Sequence, residues 1–205
     1  NLVNRNRIRL LRTALQGVKN NEIEVGRIYD LEKFAAQFAI IDLMYGYHAT
    51  GDNSIYYFNP ITNLIEPITR EYNSLRYSEG QYASELMIEM YQGEGSGWAF
   101  ANKLFQNKEF TKHYLKQLVR LSDKKYLDRF FADVDEDMNR QKKILYRDDP
   151  FYKFPKEYMY DRQTQIIGKL NQDLTIFANV DEDNHALYNI KFRNNSSFPI
   201  ELIKI

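Results

Sequence analysis

The chain has 205 residues, and 43% of them are hydrophobic, which is enough for one domain with a sizeable core plus an appendage. Its 28 basic and 28 acidic residues balance, which argues against an electrostatic surface for nucleic acid and predicts no nucleic-acid partner. The absence of cysteine excludes disulfides, thiolate zinc sites and a cysteine nucleophile.

Two amphipathic helices are predicted at the start of the chain. Apolar residues recur with helical spacing over residues 2–16, and this first helix is expected to stop near Gly17. Asp30 is a typical N-cap residue for the second helix. Apolar residues then recur at spacings of three and four until the helix ends at Gly46.

The second helix contains the most apolar stretch of the chain, residues 34–47. Gln37 and Asp42 interrupt this stretch, and it is too short and too polar to span a bilayer. We therefore expect no transmembrane segment. No targeting pattern stands at the start of the chain, which begins at Asn1, so we expect an excised fragment of a longer protein.

A short β-hairpin is predicted next, with strands over residues 54–58 and 64–69 joined by a turn-rich link. Pro67 has no N–H to donate, which places the second strand at a sheet edge. The glycine-rich segment 91–98 lacks the spacing of a nucleotide-binding motif and is interpreted as a loop.

The remainder is predicted to be helical and then extended. Asn107 is expected to cap one helix and Ser122 a second, long helix that a break could divide. A further helix covers residues 158–170. Three strands are predicted after it, over residues 174–180, 186–192 and 198–205.

The expected fold class is therefore mainly α with a small β-hairpin at about residues 54–69, followed by a short antiparallel β tail. We expect a helical domain over residues 1–172 and the tail over residues 173–205. Three strands bury little by themselves, so the tail should pack on the helices or begin a second β domain.

The loop from His48 to Asn53 is the candidate site. It joins the apolar helix to the hairpin, and functional side chains are often presented by loops between rigid elements. In protein kinases four residues separate a catalytic Asp from a metal-binding Asn, and a second metal-binding acid follows. His48 and Asn53 have this separation, and the hairpin is expected to return Glu66 and Glu71 towards the loop. A purely structural histidine is the alternative.

Several segments, taken in order, resemble the family of spore-coat-protein-H (CotH) kinases. The resemblance covers most of the chain from about Gly17, and residues 30–71 are its specific part. The matching segments there are Asp30-Leu-Glu-Lys-Phe-Ala, Ile-Asp-Leu-Met before Gly46-Tyr-His48, Tyr56-Tyr-Phe-Asn59-Pro60 and Leu64-Ile-Glu66-Pro67-Ile68. Later matches include Phe110-x-x-x-Tyr114-x-x-x-Leu118, Tyr126-Leu127 and Asn194-Asn-Ser-Ser-Phe198-Pro199-Ile200-Glu201-Leu202.

The resemblance implies an atypical protein-kinase-like C-lobe that uses ATP with Mg2+ or Mn2+ to phosphorylate serine residues. The partner it implies is a protein substrate, or an envelope or coat protein, and the location it favours is exported or associated with the cell envelope. Asn53 and Glu71 match the metal ligands of the family. His48 falls near its catalytic aspartate, and Asp52 is the alternative stand-in. The nucleotide-covering N-lobe would lie upstream, so the fragment alone is expected to be inactive.

Two departures from the family pattern leave a second interpretation open. A histidine at position 48 brings no negative charge to orient a hydroxyl, and Glu71 is one methylene longer than aspartate beside a metal that demands strict geometry. The chain could therefore be a degenerate, pseudokinase-like binding or scaffold protein of the cell envelope. A structural envelope domain is the third interpretation.

Overall fold

The computed structural model describes residues 2–70, 72, 85–91, 98–173, 176–182, 188–196, 198–200 and 203. These residues form a mainly helical fold with two small antiparallel sheets, which confirms the expected fold class. The helices are α1 (Leu2–Lys19), α2 (Leu31–Met44), α3 (Met87–Tyr91), α4 (Ala99–Gln106), α5 (Lys108–Ser122), α6 (Tyr126–Asp133), α7 (Asp135–Leu145) and α8 (Glu157–Leu170). The strands are β1 (Ile55–Asn59), β2 (Leu64–Ile68), β3 (Ile176–Glu182) and β4 (Tyr188–Asn194).

Helix α2 lies at the centre of the core. Its predicted cap is confirmed, because the Asp30 carboxylate accepts the N–H of Lys33 at 3.1 Å. Eight of its 14 residues are buried, so other parts of the protein cover more than one face of the helix. It packs mainly against α5, and α8 packs against both helices. The helix ends because Tyr45 adopts a left-handed conformation with φ of 52°.

Helix α5 begins as predicted, since the Asn107 side chain accepts the N–H of Phe110 at 3.0 Å. The prediction for Ser122 is wrong. Ser122 is the last residue of α5, and its hydroxyl donates back to the carbonyl of Val119 at 2.9 Å. The long helix predicted after it is divided into α6 and α7, which meet at Val134.

Helices α3 and α4 were not predicted from the sequence. They flank residues 92–97, so the loop predicted within 91–98 lies mostly outside the described residues. Trp98, which precedes α4, stacks on Phe38 of α2 with ring centroids 5.6 Å apart. This contact attaches the start of α4 to the aromatic core.

The predicted hairpin is confirmed, with Ile55 of β1 opposite Ile68 of β2. It is also attached to the segment that leads into α2. The N–H of Ile65 donates to the carbonyl of Ile28 at 2.7 Å, and the N–H of Asp30 donates to the carbonyl of Ile65 at 2.9 Å. The hairpin therefore has a fixed position relative to α2.

In the tail, β3 and β4 pair antiparallel as predicted. Half of the third predicted strand lies outside the described residues, and residues 198–200 have no strand structure. Phe198 is buried in the same core cluster as the helices. The chain after β4 therefore packs on the helices at this residue. None of the described helices has the length and apolar character that crossing a membrane requires.

Candidate functional site

The loop between α2 and β1 consists of two consecutive 3₁₀ turns, Tyr47–Ala49 and Gly51–Asn53. Gly51 has φ of 62°, a left-handed conformation that glycine adopts without the steric cost of a Cβ atom. The N–H of Ser54 donates to the carbonyl of Gly51 at 3.1 Å. The loop is therefore a compact, hydrogen-bonded turn that leads directly into β1.

The side chain of Asn53 has a defined orientation in this loop. Its amide nitrogen donates to the backbone carbonyl of His48 at 2.9 Å. Because a carbonyl only accepts, the NH₂ group must face it, and Oδ1 lies on the opposite side of the amide. No described residue donates a hydrogen bond to this oxygen. Amide oxygens are among the ligands that magnesium and calcium use in proteins.

The structure defines the other three predicted site residues, His48, Asp52 and Glu71, in less detail. The imidazole of His48 is exposed to solvent, and the contact between His48 and Asn53 is made by the backbone of one and the side chain of the other. Asp52 lies in the second 3₁₀ turn, and Glu71 lies outside the described residues.

The chain returns to this loop after the hairpin. Ile68 pairs with Ile55, so β2 ends beside the end of the loop. Tyr72 then packs against Gly46, where an added Cβ would lie 3.1 Å from the ring carbon Cδ1. Gly46 therefore permits this close approach.

Glu66 was expected near the loop but has other partners. Its Oε1 lies 2.7 Å from the Nζ of Lys33 and 2.7 Å from the Nδ2 of Asn59. These two hydrogen bonds lower the pKa of Glu66. The carboxylate therefore connects the hairpin to the first turn of α2, and it is engaged there instead of in the loop.

Behind the loop, Asp42 is a fully buried acid with 0% of its surface exposed. Its Oδ1 accepts the N–H of Met87 at 2.9 Å and lies 3.1 Å from the hydroxyl of Tyr47. Its Oδ2 accepts the hydroxyl of Tyr114 at 2.5 Å. Burial raises the pKa of Asp42 to about 6, although these donors and Arg162 favour the charged form. The carboxylate is therefore mostly ionised at neutral pH.

Arg162 of α8 is the buried cation that faces Asp42, with Nη2 3.9 Å from Oδ1. Its Nε donates to the Asp42 carbonyl at 2.8 Å. Its Nη2 donates at 2.7 Å to both the hydroxyl of Tyr47 and the carbonyl of Glu85. The guanidinium also lies 4.4 Å from the ring centroid of Tyr45. One side chain thus connects the end of α2, the candidate loop and the segment before α3.

We call Asp42, Tyr47, Tyr114 and Arg162 the Asp42 network. Because Tyr47 immediately precedes His48, the network fixes the start of the candidate loop from inside the protein. Burial raises the pKa values of both tyrosines, which therefore remain neutral hydrogen-bonding groups. The network was not predicted from the sequence. The sequence does contain one indication of the network. Asp42 lies within the most apolar stretch of the chain, and a buried charge requires partners.

The described part of the chain contains no cluster of three His, Cys, Asp or Glu side chains that could hold a metal ion. The loop offers one oriented side-chain amide oxygen among the described residues, Asn53 Oδ1. Comparisons with models of protein families, with curated proteins and with solved structures each found no match.

Proposed function

We propose that this chain is the C-terminal lobe of an atypical protein kinase of the CotH type, which transfers the γ-phosphoryl group of ATP to a protein hydroxyl. The observation that carries the proposal is the orientation of Asn53, whose amide oxygen is directed away from His48 on a loop fixed by the Asp42 network. Phosphoryl transfer requires mainly positioning and electrostatic stabilisation. A rigid loop with an oriented oxygen ligand meets this requirement.

Each loop residue has a role in this proposal. Asn53 Oδ1 would bind a divalent cation, Mg2+ or Mn2+, and Glu71 would provide a second ligand. A bound cation neutralises charge on the phosphates of ATP. His48, or Asp52 in its place, would accept the proton of the acceptor hydroxyl. The acceptor would be an envelope or coat protein, and the location would be exported or associated with the cell envelope.

A degenerate, pseudokinase-like scaffold is the second proposal. The observation that favours it is the solvent-exposed imidazole of His48, which stands where the family resemblance calls for a carboxylate. A neutral imidazole accepts a proton but contributes no negative charge beside a cation. In this proposal the fold serves for binding, and the β tail provides a docking surface.

The experiment measures phosphoryl transfer by the longest natural form of the protein, incubated with γ-labelled ATP, candidate protein acceptors and either Mg2+ or Mn2+. We expect cation-dependent labelling, and Asn53→Ala should lower it at least about a hundredfold. Asn53→Asp retains an oxygen ligand and should retain part of the activity. Asn139→Ala removes an exposed asparagine of α7 and is the matched control, with unchanged activity.

The outcomes separate the two proposals. Absence of labelling, together with absence of any nucleotide-induced rise in melting temperature, refutes the kinase. Labelling that Asn53→Ala leaves unchanged refutes the role of this residue. Activity that appears only after His48→Asp and Glu71→Asp are combined supports the degenerate scaffold.

A further inference from the structure

Helix α7 and the turn after it expose an unusual set of large apolar side chains. Helix α7 has no fully buried residue, and core packing accounts for its Met138 but not for the exposed apolar residues at its C-terminal end. The exposed fractions are 88% for Phe151, 65% for Tyr146 and 55% for Ile144. Leu145 and Tyr152 are also exposed, at 43% and 47%. A cluster of this kind marks an interaction surface more often than isolated exposed residues do.

Basic residues are interleaved with these apolar side chains. Lys142, Lys143 and Tyr146 line one surface depression, as expected for residues spaced three and four apart on a helix. The basic residues between positions 140 and 156 are Arg140, Lys142, Lys143, Arg147, Lys153 and Lys156, and the acidic ones are Asp148 and Asp149. This segment is therefore clearly positive in a chain with no net charge.

The helix dipole accounts for part of this arrangement. Acidic residues occupy the first turn of α7, and Lys142 and Lys143 lie in its last turn, which is the distribution that stabilises an isolated helix. The dipole does not account for the aromatic residues beyond the helix end. Phe151 lies six positions after Leu145, the last residue of α7, and is the most exposed of these apolar side chains.

Hydrogen bonds and ring contacts hold the turn in place. The N–H of Asp149 donates to the carbonyl of Leu145 at 2.9 Å, and the N–H of Phe151 donates to the carboxylate of Asp149 at 3.0 Å. Phe154 then packs on Phe131 of α6, with ring centroids 6.3 Å apart. Phe151 thus lies on a hydrogen-bonded turn. The backbone of this turn therefore loses little conformational entropy when a partner binds.

We propose that this surface, the α7 patch, binds the surface of an anionic lipid bilayer. We define the patch by Lys142, Lys143, Ile144, Leu145, Tyr146, Arg147, Phe151, Tyr152 and Lys153. Basic side chains attract anionic headgroups, and apolar and aromatic side chains enter the boundary between headgroups and acyl chains. A single-stranded nucleic acid would use the cations and would stack on Phe151, but it would leave the aliphatic side chains of Ile144 and Leu145 in water. The combination of both features favours a lipid surface as the occupant.

The test is sedimentation of the protein with vesicles of phosphatidylcholine alone or of phosphatidylcholine mixed with phosphatidylserine. We expect binding to the anionic vesicles that weakens as salt is raised. Lys142→Glu combined with Lys143→Glu should weaken binding at least about 25-fold, since each surface cation contributes about fivefold. Phe151→Ser should weaken it about tenfold through lost apolar burial.

Matched controls distinguish the patch from general charge and hydrophobicity. Ile61→Ser removes an apolar side chain that is 89% exposed in the hairpin turn, and Lys116→Glu reverses an exposed charge on α5. Both controls should bind like the unmodified protein. Melting curves by circular dichroism check that each variant is folded. All substituted positions are exposed, so the substitutions should not unfold the protein.

Three results would overturn the proposal. The first is absence of binding to anionic vesicles, or binding that the patch variants and the controls weaken equally. The second is binding to single-stranded RNA that the lysine substitutions abolish and Phe151→Ser leaves intact, without vesicle binding, which would identify a polyanion site. The third is a dimer that Phe151→Ser dissociates without vesicle binding, which would identify an interface between copies of the chain.

Discussion

Replacement of Arg162 by Met tests whether the Asp42 network holds the fold and the candidate loop together. Met approximates the length of the buried stem but provides no donor. The variant loses hydrogen bonds to the Asp42 carbonyl, the Tyr47 hydroxyl and the Glu85 carbonyl. It also leaves the buried Asp42 carboxylate without the cation that lies 3.9 Å away.

The expected loss of unfolding free energy is about 3–5 kcal/mol. Each lost hydrogen bond contributes about 1 kcal/mol net, and removing one partner of a buried ion pair costs about 3–5 kcal/mol because a charge stays buried and uncompensated. Asp42→Asn introduced into Arg162→Met should recover part of this loss, because the buried charge is then absent. The cost of Arg162→Met should also be smaller below about pH 6, where Asp42 becomes protonated.

The assay is urea denaturation followed by circular dichroism, with the midpoint and slope fitted for each variant. Arg129→Met is the matched control, since Arg129 forms an ion pair at 2.6 Å with Asp123 but is 60% exposed in its side chain. It should cost less than about 1 kcal/mol. A comparable, small loss in both single variants, or a double variant no more stable than Arg162→Met, would refute the reasoning.

Two further predictions concern pH and helix capping. Burial raises the pKa of Asp42 to about 6, so this group stabilises the fold most at low pH and loses that contribution as pH rises through 6. The stability of the unmodified protein minus that of Asp42→Asn should therefore fall by about 3 kcal/mol between about pH 4 and 7, and a difference independent of pH would contradict the raised pKa. Asn107→Ala removes the acceptor for the N–H of Phe110 and should lower the unfolding free energy by about 1 kcal/mol. Asn107→Asp restores a cap and should cost much less, and equal losses in the two variants would show that the cap is not the cause.

The elements that the sequence predicted well are those that local chemistry determines. Asp30 and Asn107 cap their helices through side chains that accept N–H groups three positions later, and this interaction is visible in the order of residues alone. The hairpin follows from two short strand-like runs and a turn-rich link. Ser122 was misassigned because a hydroxyl also bonds the preceding turn, and residue type alone does not decide between the two positions.

The candidate loop was proposed from its place between a helix and a strand, and the kinase-like interpretation of the spacing between His48 and Asn53 stays a prediction. The orientation of the Asn53 amide depends on the backbone of His48, and therefore on the two 3₁₀ turns that bring the residues together. Glu66 was expected near the loop because the hairpin returns in that direction. The side chain instead binds Lys33, which a strand pattern does not reveal.

The sequence by itself determined the mainly helical class, the caps, the hairpin and the position of the candidate loop, because these depend on neighbours within a few residues. Only the tertiary structure decided what supports that loop. Asp42 meets Tyr114 across 72 positions and Arg162 across 120, and no local pattern specifies such pairs. Their physical cause is the burial of a charge among apolar helices, which is stable only where distant donors converge on it.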